Sequence, residues 1–400
     1  MEKKNITYLN LSNKQLYVLP DLSEYTNLKV LNCCNNHLKQ LHPLNDSLEV
    51  LFCNNNKLSA LPELNRNLKS LHCSNNELIN LPKLNDQLKE LICVNNYLTS
   101  LPELNIHLNN LVCAKNFLTK LPSLNHHLCI LDCADNELDT LPELNENLQA
   151  LICSDNHLTH LPEINTELDV LKCSNNGLLH DFPVLKHTKL TVLNCSNMDL
   201  HVLPELNASL ETLICSFNFL ETLPELNDNL DYLDCKNNHL TVLPKLNKKL
   251  TRLYCEFNQL KTLPCLPDDL VYLDCFSNPF ISVPTVPNKL KCLNDIELKL
   301  IQNPIRQLSI NIRHFESVPN HFNFVSLNGE LHDLMEQWNR FKKFYFLNKY
   351  KKKFISWKWK SKEKKIQEQF HYKHLYRFLN DGCHHAENEL SLFLKEWENL

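Results

Sequence analysis

Apolar positions in this chain recur in phase rather than in runs. One unit reads Leu68-x-x-Leu71-x-Cys73-x-x-Asn76-x-Leu78-x-x-Leu81-Pro82-x-Leu84-Asn85. Its cysteine place returns at Cys33, Cys53, Cys73, Cys93, Cys113, Cys133, Cys153, Cys173, Cys195, Cys215, Cys235, Cys255 and Cys275, in steps of 20 residues with a single step of 22 after Cys173. An opening unit, Leu9-Asn10-Leu11 to Leu16, has leucine in the cysteine place and lies 22 residues before Cys33, so 14 rungs are recognisable. A fixed period of this length is the mark of a solenoid. Leu71 and Cys73 are two apart and so share one side of a short strand. Leu78, Leu81 and Leu84 lead the chain back around the same interior. A single unit cannot bury these groups, whereas stacked units make a continuous core. Pro82 has a fixed φ and no N–H, which suits an extended outer segment. The short unit leaves that segment room for polyproline-like or single-turn structure.

The place of Asn76 holds asparagine at positions 36, 56, 96, 116, 136, 156, 176, 218, 238, 258 and 278 as well. A buried amide there satisfies backbone groups where the chain leaves the strand, and stacked amides form a ladder. Two units depart from it. Lys14 stands at the exposed end, and Met198 stands in the unit after the long step. The expectation at Met198 is a local irregularity, with two extra residues and one lost amide. Regular thiols also suggest metal or redox chemistry, since parallel rungs about 4.8 Å apart bring cysteines near bridging distance. Against that, the repeat otherwise carries leucine at this place, and buried cysteine packs as a small hydrophobe with an inert thiol. A one-dimensional column also cannot surround a tetrahedral metal. We read the column as core.

The Leu-Pro-x-Leu punctuation is clearest in Leu263-Pro264-Cys265-Leu266-Pro267 and Val283-Pro284-Thr285-Val286-Pro287. Together with the repeating unit, it resembles the leucine-rich repeat, in the short form of bacterial secreted effectors. The Leu-x-Cys variant and the Asn- and Lys-rich composition are similar to giant-virus (mimivirus-like) leucine-rich-repeat proteins. The resemblance covers roughly residues 6–293. It implies a leucine-rich-repeat solenoid with a curved parallel β-sheet on the concave face and an extended or single-turn convex face; an α-helical C-terminal segment is read beyond it from the spacing given below. It also implies partner binding without catalysis, although such repeats serve many partners.

Residues flanking the cysteine point away from the core, where the fold imposes no apolar requirement. Even so, Ile92, Val112, Ile130, Ile152, Val170 and Val192 make an apolar strip along the middle. Tyr232, Tyr254, Tyr272, Phe257 and Phe276 gather towards the last rungs beside Asp234, Asp274 and Arg252. One reading is a groove for a protein partner, because aromatic residues and arginine are typical anchors and exposed apolar patches mark contacts. The other is β-propensity alone, or burial of the aromatic end under the C-terminal segment.

Composition narrows the function. The 3 glycines, Gly177, Gly329 and Gly382, cannot build a phosphate-cradling loop. No cofactor or metal is expected. Neither a signal-peptide stretch nor a run of about 18 apolar residues is found, so we expect no membrane span, reduced thiols and a cytoplasmic location, that of a host cell if the source is viral. The net charge of −5 hides a split: residues 340–377 hold 14 Lys/Arg against 2 Asp/Glu, whereas residues 1–339 hold 26 against 39. We divide the chain into a solenoid over 1–293, a cap or transition over 294–329 and a basic, aromatic helical segment over 330–400. Leu331, Leu334, Trp338, Phe341, Phe344 and Tyr345 follow helical spacing, and further helices are expected over 362–379 and 386–397. The segment 340–377 reads as a solvated helical cap, as a nucleic-acid contact, or as a contact with a membrane surface or partner helix. Its two arginines, Arg340 and Arg377, are few for base reading. His371, His374, Cys383, His384 and His385 match no zinc module. Some effectors with these repeats append a cysteine ubiquitin ligase, which raises Cys383 as a nucleophile. Those domains are longer than the tail here, and His385 stands where their motif needs Asp.

Overall fold

The computed structural model describes residues 3–281 except 178, 180 and 181, together with 287, 289, 290 and the backbone of 292–294. The chain divides into two units, Met1–Leu308 and Ser309–Leu400, and all described residues belong to the first. The segments expected over 294–329 and 330–400, including the basic stretch 340–377 and the His371 to His385 group, lie outside the described residues, apart from the backbone of Asn294.

Fifteen three-residue strands form one parallel sheet, in sequential order throughout. They are β1 (Tyr8–Asn10), β2 (Val30–Asn32), β3 (Val50–Phe52), β4 (Ser70–His72), β5 (Glu90–Ile92), β6 (Asn110–Val112), β7 (Ile130–Asp132), β8 (Ala150–Ile152), β9 (Val170–Lys172), β10 (Val192–Asn194), β11 (Thr212–Ile214), β12 (Tyr232–Asp234), β13 (Arg252–Tyr254), β14 (Tyr272–Asp274) and β15 (Cys292–Asn294). Equivalent residues pair directly, as in Leu71↔Leu91 and Leu91↔Leu111. The strand count exceeds the sequence reading by one. β15 lacks the sulfur signature, because Cys292 takes the register of Tyr272. Among the described residues the outer segment contains no helix; a single turn closes where the Leu88 N–H donates to the Asn85 carbonyl.

The inward set is as the period requires. Leu71, Cys73, Leu78, Leu88 and their equivalents along the middle of the array are fully buried, each leucine contributing roughly 2 kcal/mol by leaving water. The expected amide ladder is present. Asn136 Nδ2 donates to the carbonyls of Cys113 at 3.1 Å, Cys133 at 3.0 Å and Ala134 at 3.1 Å, and its Oδ1 accepts the Leu118 N–H at 3.0 Å. One side chain therefore serves two successive rungs. A second ladder, not assigned from sequence, runs through the asparagine after Leu84. Asn105 Nδ2 donates to the carbonyls of Asn85 and Leu88, and its Oδ1 accepts the His107 N–H. A third column lies two residues after the cysteine, where the backbone is left-handed in every unit from Asn13 to Ser277, with φ of 52–58°. Asn and Asp tolerate this region because their short polar side chains bond locally. Lys115, Phe217 and Phe257 occupy it without that relief.

The irregularity expected at Met198 is found. Met198 is fully buried, and the Cys173 thiol lies 3.7 Å from its sulfur. With no amide to accept it, the Leu179 N–H turns to the Asn176 carbonyl. The two extra residues are accommodated separately. One lies between Asn176 and Leu179, and the other lies before Leu190, where buried Thr188 bonds the Leu185 carbonyl in place of an asparagine.

Removing one amide should expose the weight of the ladder. Asn136→Ala strips partners from an N–H and carbonyls in two rungs, and each buried group left unsatisfied costs ~1–3 kcal/mol. We expect a loss of about 3 kcal/mol or more in chemical denaturation, against under about 1 kcal/mol for exposed Glu137→Ala.

Candidate functional site

Alternation along each strand creates three outward columns, one residue before the cysteine, three before it and one after it. The apolar strip maps onto them unevenly. Ile92 and Val112 adjoin in one column, but Asp132 then separates Val112 from Ile152. Ile130 and Val170 belong to the neighbouring column, with Ala150 between them. The strip is thus a zigzag, half-buried at Ile92, Val112, Ile152 and Val170 and exposed at Ile130. Burial raises the Asp132 carboxyl above its usual range, although the Ala134 N–H and the Lys172 ammonium oppose the shift.

The last rungs bring the predicted aromatic and charged residues together. The Tyr232 and Tyr254 rings meet diagonally across β12 and β13 at 5.5 Å between centroids. The Arg252 guanidinium lies 5.8 Å from the Tyr272 ring centre, within cation–π range. Phe257 and Phe276 pack edge to face at 5.4 Å. Asp234 is buried, and its Oδ1 accepts the Lys236 N–H at 3.3 Å; Asp274 accepts the Phe276 N–H in the same way. Asn32, Asp132 and Asn194 make the same strand-end bond. The two aspartates therefore have a local backbone role besides any role towards a partner.

Two residues of this cluster escaped the sequence reading. Lys236 and Glu256 lie just after the cysteine, in the third outward column, which strand alternation continued by one step would have identified. Lys236 Nζ stands 3.6 Å from Asp234 Oδ2 and 3.7 Å from Glu256 Oε1. Glu256 is only 8% exposed, and its Oε2 has no hydrogen-bond partner. Burial pushes its carboxyl up to about 7, helped by Asp274 and Asp234 and opposed by its own backbone bond and by Lys236. Burial also raises Asp234, and it raises Tyr232 with the Asp234 charge beside it.

A polar group marks the earlier rungs. Glu90 accepts from Ser70 Oγ at 2.7 Å and lies 2.9 Å from His72 Nε2. Asn110 Nδ2 donates to Glu90 at 3.2 Å. Ser70 and His72 thus meet the same carboxylate oxygen rather than each other. Tyr97 and Phe117 stack 6.2 Å apart at the sheet margin, both about half exposed. The thiols of the ladder face the core, and burial raises Cys33, Cys93 and Cys195 to about 12. No three His, Cys, Asp or Glu among the described residues are grouped to hold a metal, and no helix there is long and apolar enough to cross a membrane.

Two expected outcomes follow from these environments. In the native protein, Cys265, the exposed thiol among the described cysteines, should be alkylated by iodoacetamide before Cys34, Cys129 and the ladder cysteines. The ladder cysteines should label only on unfolding, as peptide mass spectrometry would read. Glu256 is raised in the folded state, so the stability of its neutral form is present below about 4.5 and is lost as pH rises through about 7. Glu256→Gln should match the parent near pH 4.5 and exceed it at pH 8 by up to ~3 kcal/mol in denaturation midpoints.

The chain was compared with known proteins. No family model matches it, and no curated protein does. Among solved structures it is similar to YopM, a leucine-rich effector protein from Yersinia pestis, at 30% identity and TM-score 0.60, over 72% of this chain and 88% of that one. It is similar to a leucine-rich-repeat protein of Leptospira interrogans at 26% identity and TM-score 0.52, over 70% and 92%. The functional domain of InlJ from Listeria monocytogenes, which includes a cysteine ladder, matches at 24% identity and TM-score 0.50, over 73% and 68%.

Proposed function

The chain belongs to the leucine-rich-repeat family, and from that premise we propose that it is a scaffold that holds another protein on the open, concave face of its sheet. The observation that carries this reading is the cluster on the last rungs. Tyr232, Tyr254, Tyr272 and Arg252 are gathered on outward columns that the core does not need. Tyr272 and Arg252 are exposed and Tyr254 is half-buried. Large rigid aromatics and arginine at the centre of a patch carry most of the energy in protein contacts. Asp234 and Asp274 supply charge beside them, and the zigzag of Ile92, Val112, Ile130, Ile152 and Val170 extends the surface along the array. The 30% identical Yersinia neighbour is a leucine-rich effector protein, and the shared repeat architecture supports an interaction role for this chain.

The test uses position-specific cross-linking. A photo-reactive residue in place of Tyr254 or Tyr272 should capture a protein adduct in cells that express the chain. The same residue in place of Val202 or Val242, both exposed away from the sheet face, should not. The double substitution Tyr254→Ala, Tyr272→Ala should cut capture at the Ile92 position at least tenfold while leaving thermal unfolding within a few degrees of the parent. Equal capture from both faces would overturn the choice of surface.

A further inference from the structure

We propose that Asn176–Gly177 is a site of self-modification in the folded chain, where the Gly177 nitrogen closes on the Asn176 side chain and converts it to aspartate or isoaspartate. Three observations single out this position. The other ladder asparagines, from Asn36 to Asn278, are each followed by a residue with a side chain, which hinders approach of the next backbone nitrogen to the asparagine Cγ. Gly177 has none. The fold does not need glycine there, because its φ is not left-handed and an added Cβ would meet Asp199 Oδ2 at 3.8 Å, an ordinary contact. A glycine without a conformational task only adds to the entropy lost on folding.

The attacking nitrogen is also unengaged. At the same place in other rungs, the His157 N–H donates to the Leu138 carbonyl and the Phe219 N–H to the Leu200 carbonyl, both at 2.8 Å. Among the described residues, the Gly177 N–H makes no such bond. Gly177 is exposed, so water and hydroxide reach it. Finally, Asn176 closes the last regular rung before the defect at Met198. Its Oδ1 still accepts the Leu158 N–H at 3.0 Å, but the Leu179 N–H has no amide from the next rung and turns back to the Asn176 carbonyl. Local opening is drawn from places with few bonds between neighbouring units.

The Asn176 side chain is fully buried in the closed rung, so the reaction waits on that opening. Solvent base then takes the Gly177 amide proton, the nitrogen bonds to Cγ, the Cγ–Nδ2 bond breaks and ammonia leaves with a proton from water. Water opens the resulting succinimide at either carbonyl. No electron is gained or lost, and water is the co-reactant. The product does not fit the slot. Asn176 Nδ2 donates to the carbonyls of Cys153 at 3.0 Å, Cys173 at 2.8 Å and Ser174 at 3.3 Å. A carboxylate donates to none of them and brings charge into a dry interior. Conversion thus makes the opening permanent and uncouples the rungs up to β9 from those that follow.

The full-length chain is aged at pH 8, folded or in urea, and its peptides are read by mass spectrometry for exchange of NH for O. In the folded chain, Asn176 should convert at least about tenfold faster than Asn156, which fills the same slot one rung earlier. In urea it should keep pace with Asn328, the other asparagine followed by glycine. Gly177→Ala should slow conversion at least about tenfold in both states, with the unfolding midpoint unchanged or raised. Converted chain, and unaged Asn176→Asp, should be cut by trypsin at Lys172 and Lys186 at least about fivefold faster than fresh parent. Equal rates at Asn176 and Asn156 in the folded chain, an undiminished rate in Gly177→Ala, or parental trypsin resistance after conversion would overturn the proposal.

Discussion

Everything in this solenoid depends on an amide serving the backbone of two rungs at once. Asn136 fills acceptors at Cys113 and Cys133 and takes the Leu118 N–H, and its equivalents repeat this along the array. Leucine packing alone would tolerate sliding of one rung past the next. A buried amide with all its bonds placed does not, because slippage leaves unsatisfied groups in a dry interior. The second ladder, through Asn105 and its equivalents, imposes the same condition on the outer side. Where the amide is missing, at Met198, the chain departs locally and the next rung restores the pattern through Asn218.

Satisfying the backbone from inside frees the outward columns. Cysteine contributes by being small and apolar at the strand exit, beside the asparagine whose amide bonds its carbonyl. The sulfurs are shielded, their thiols are held neutral by burial, and the ladder is packing rather than chemistry. The left-handed position next to it suits Asn and Asp in most rungs. Phe257 accepts a strain of about 1–2 kcal/mol there, and its ring is placed against Phe276.

The outward columns are not used evenly. Asp132 interrupts the middle strip, whereas the last rungs concentrate tyrosines, an arginine and three acids. Burying Glu256 there works against stability at neutral pH, since its charged form lacks a donor for one oxygen.

The periodic spacing of leucine, cysteine and asparagine was enough to determine the solenoid, its inward set, one amide ladder and the defect at Met198. Each of these is a one-dimensional pattern imposed by stacking identical units, so it survives projection onto the sequence. The aromatic residues near the end were also legible, because they stand at known offsets from the cysteine. Other features were decided by the tertiary structure. The pairing of Arg252 with Tyr272, the break of the apolar strip at Asp132 and the convergence of Lys236 and Glu256 on Asp234 depend on which residues of different rungs lie side by side, and on how far their side chains reach. Burial of a carboxylate is likewise a property of its neighbours' shape and not of its place in a repeat. That is why the scaffold was readable from the chain alone and the charge state of its surface was not.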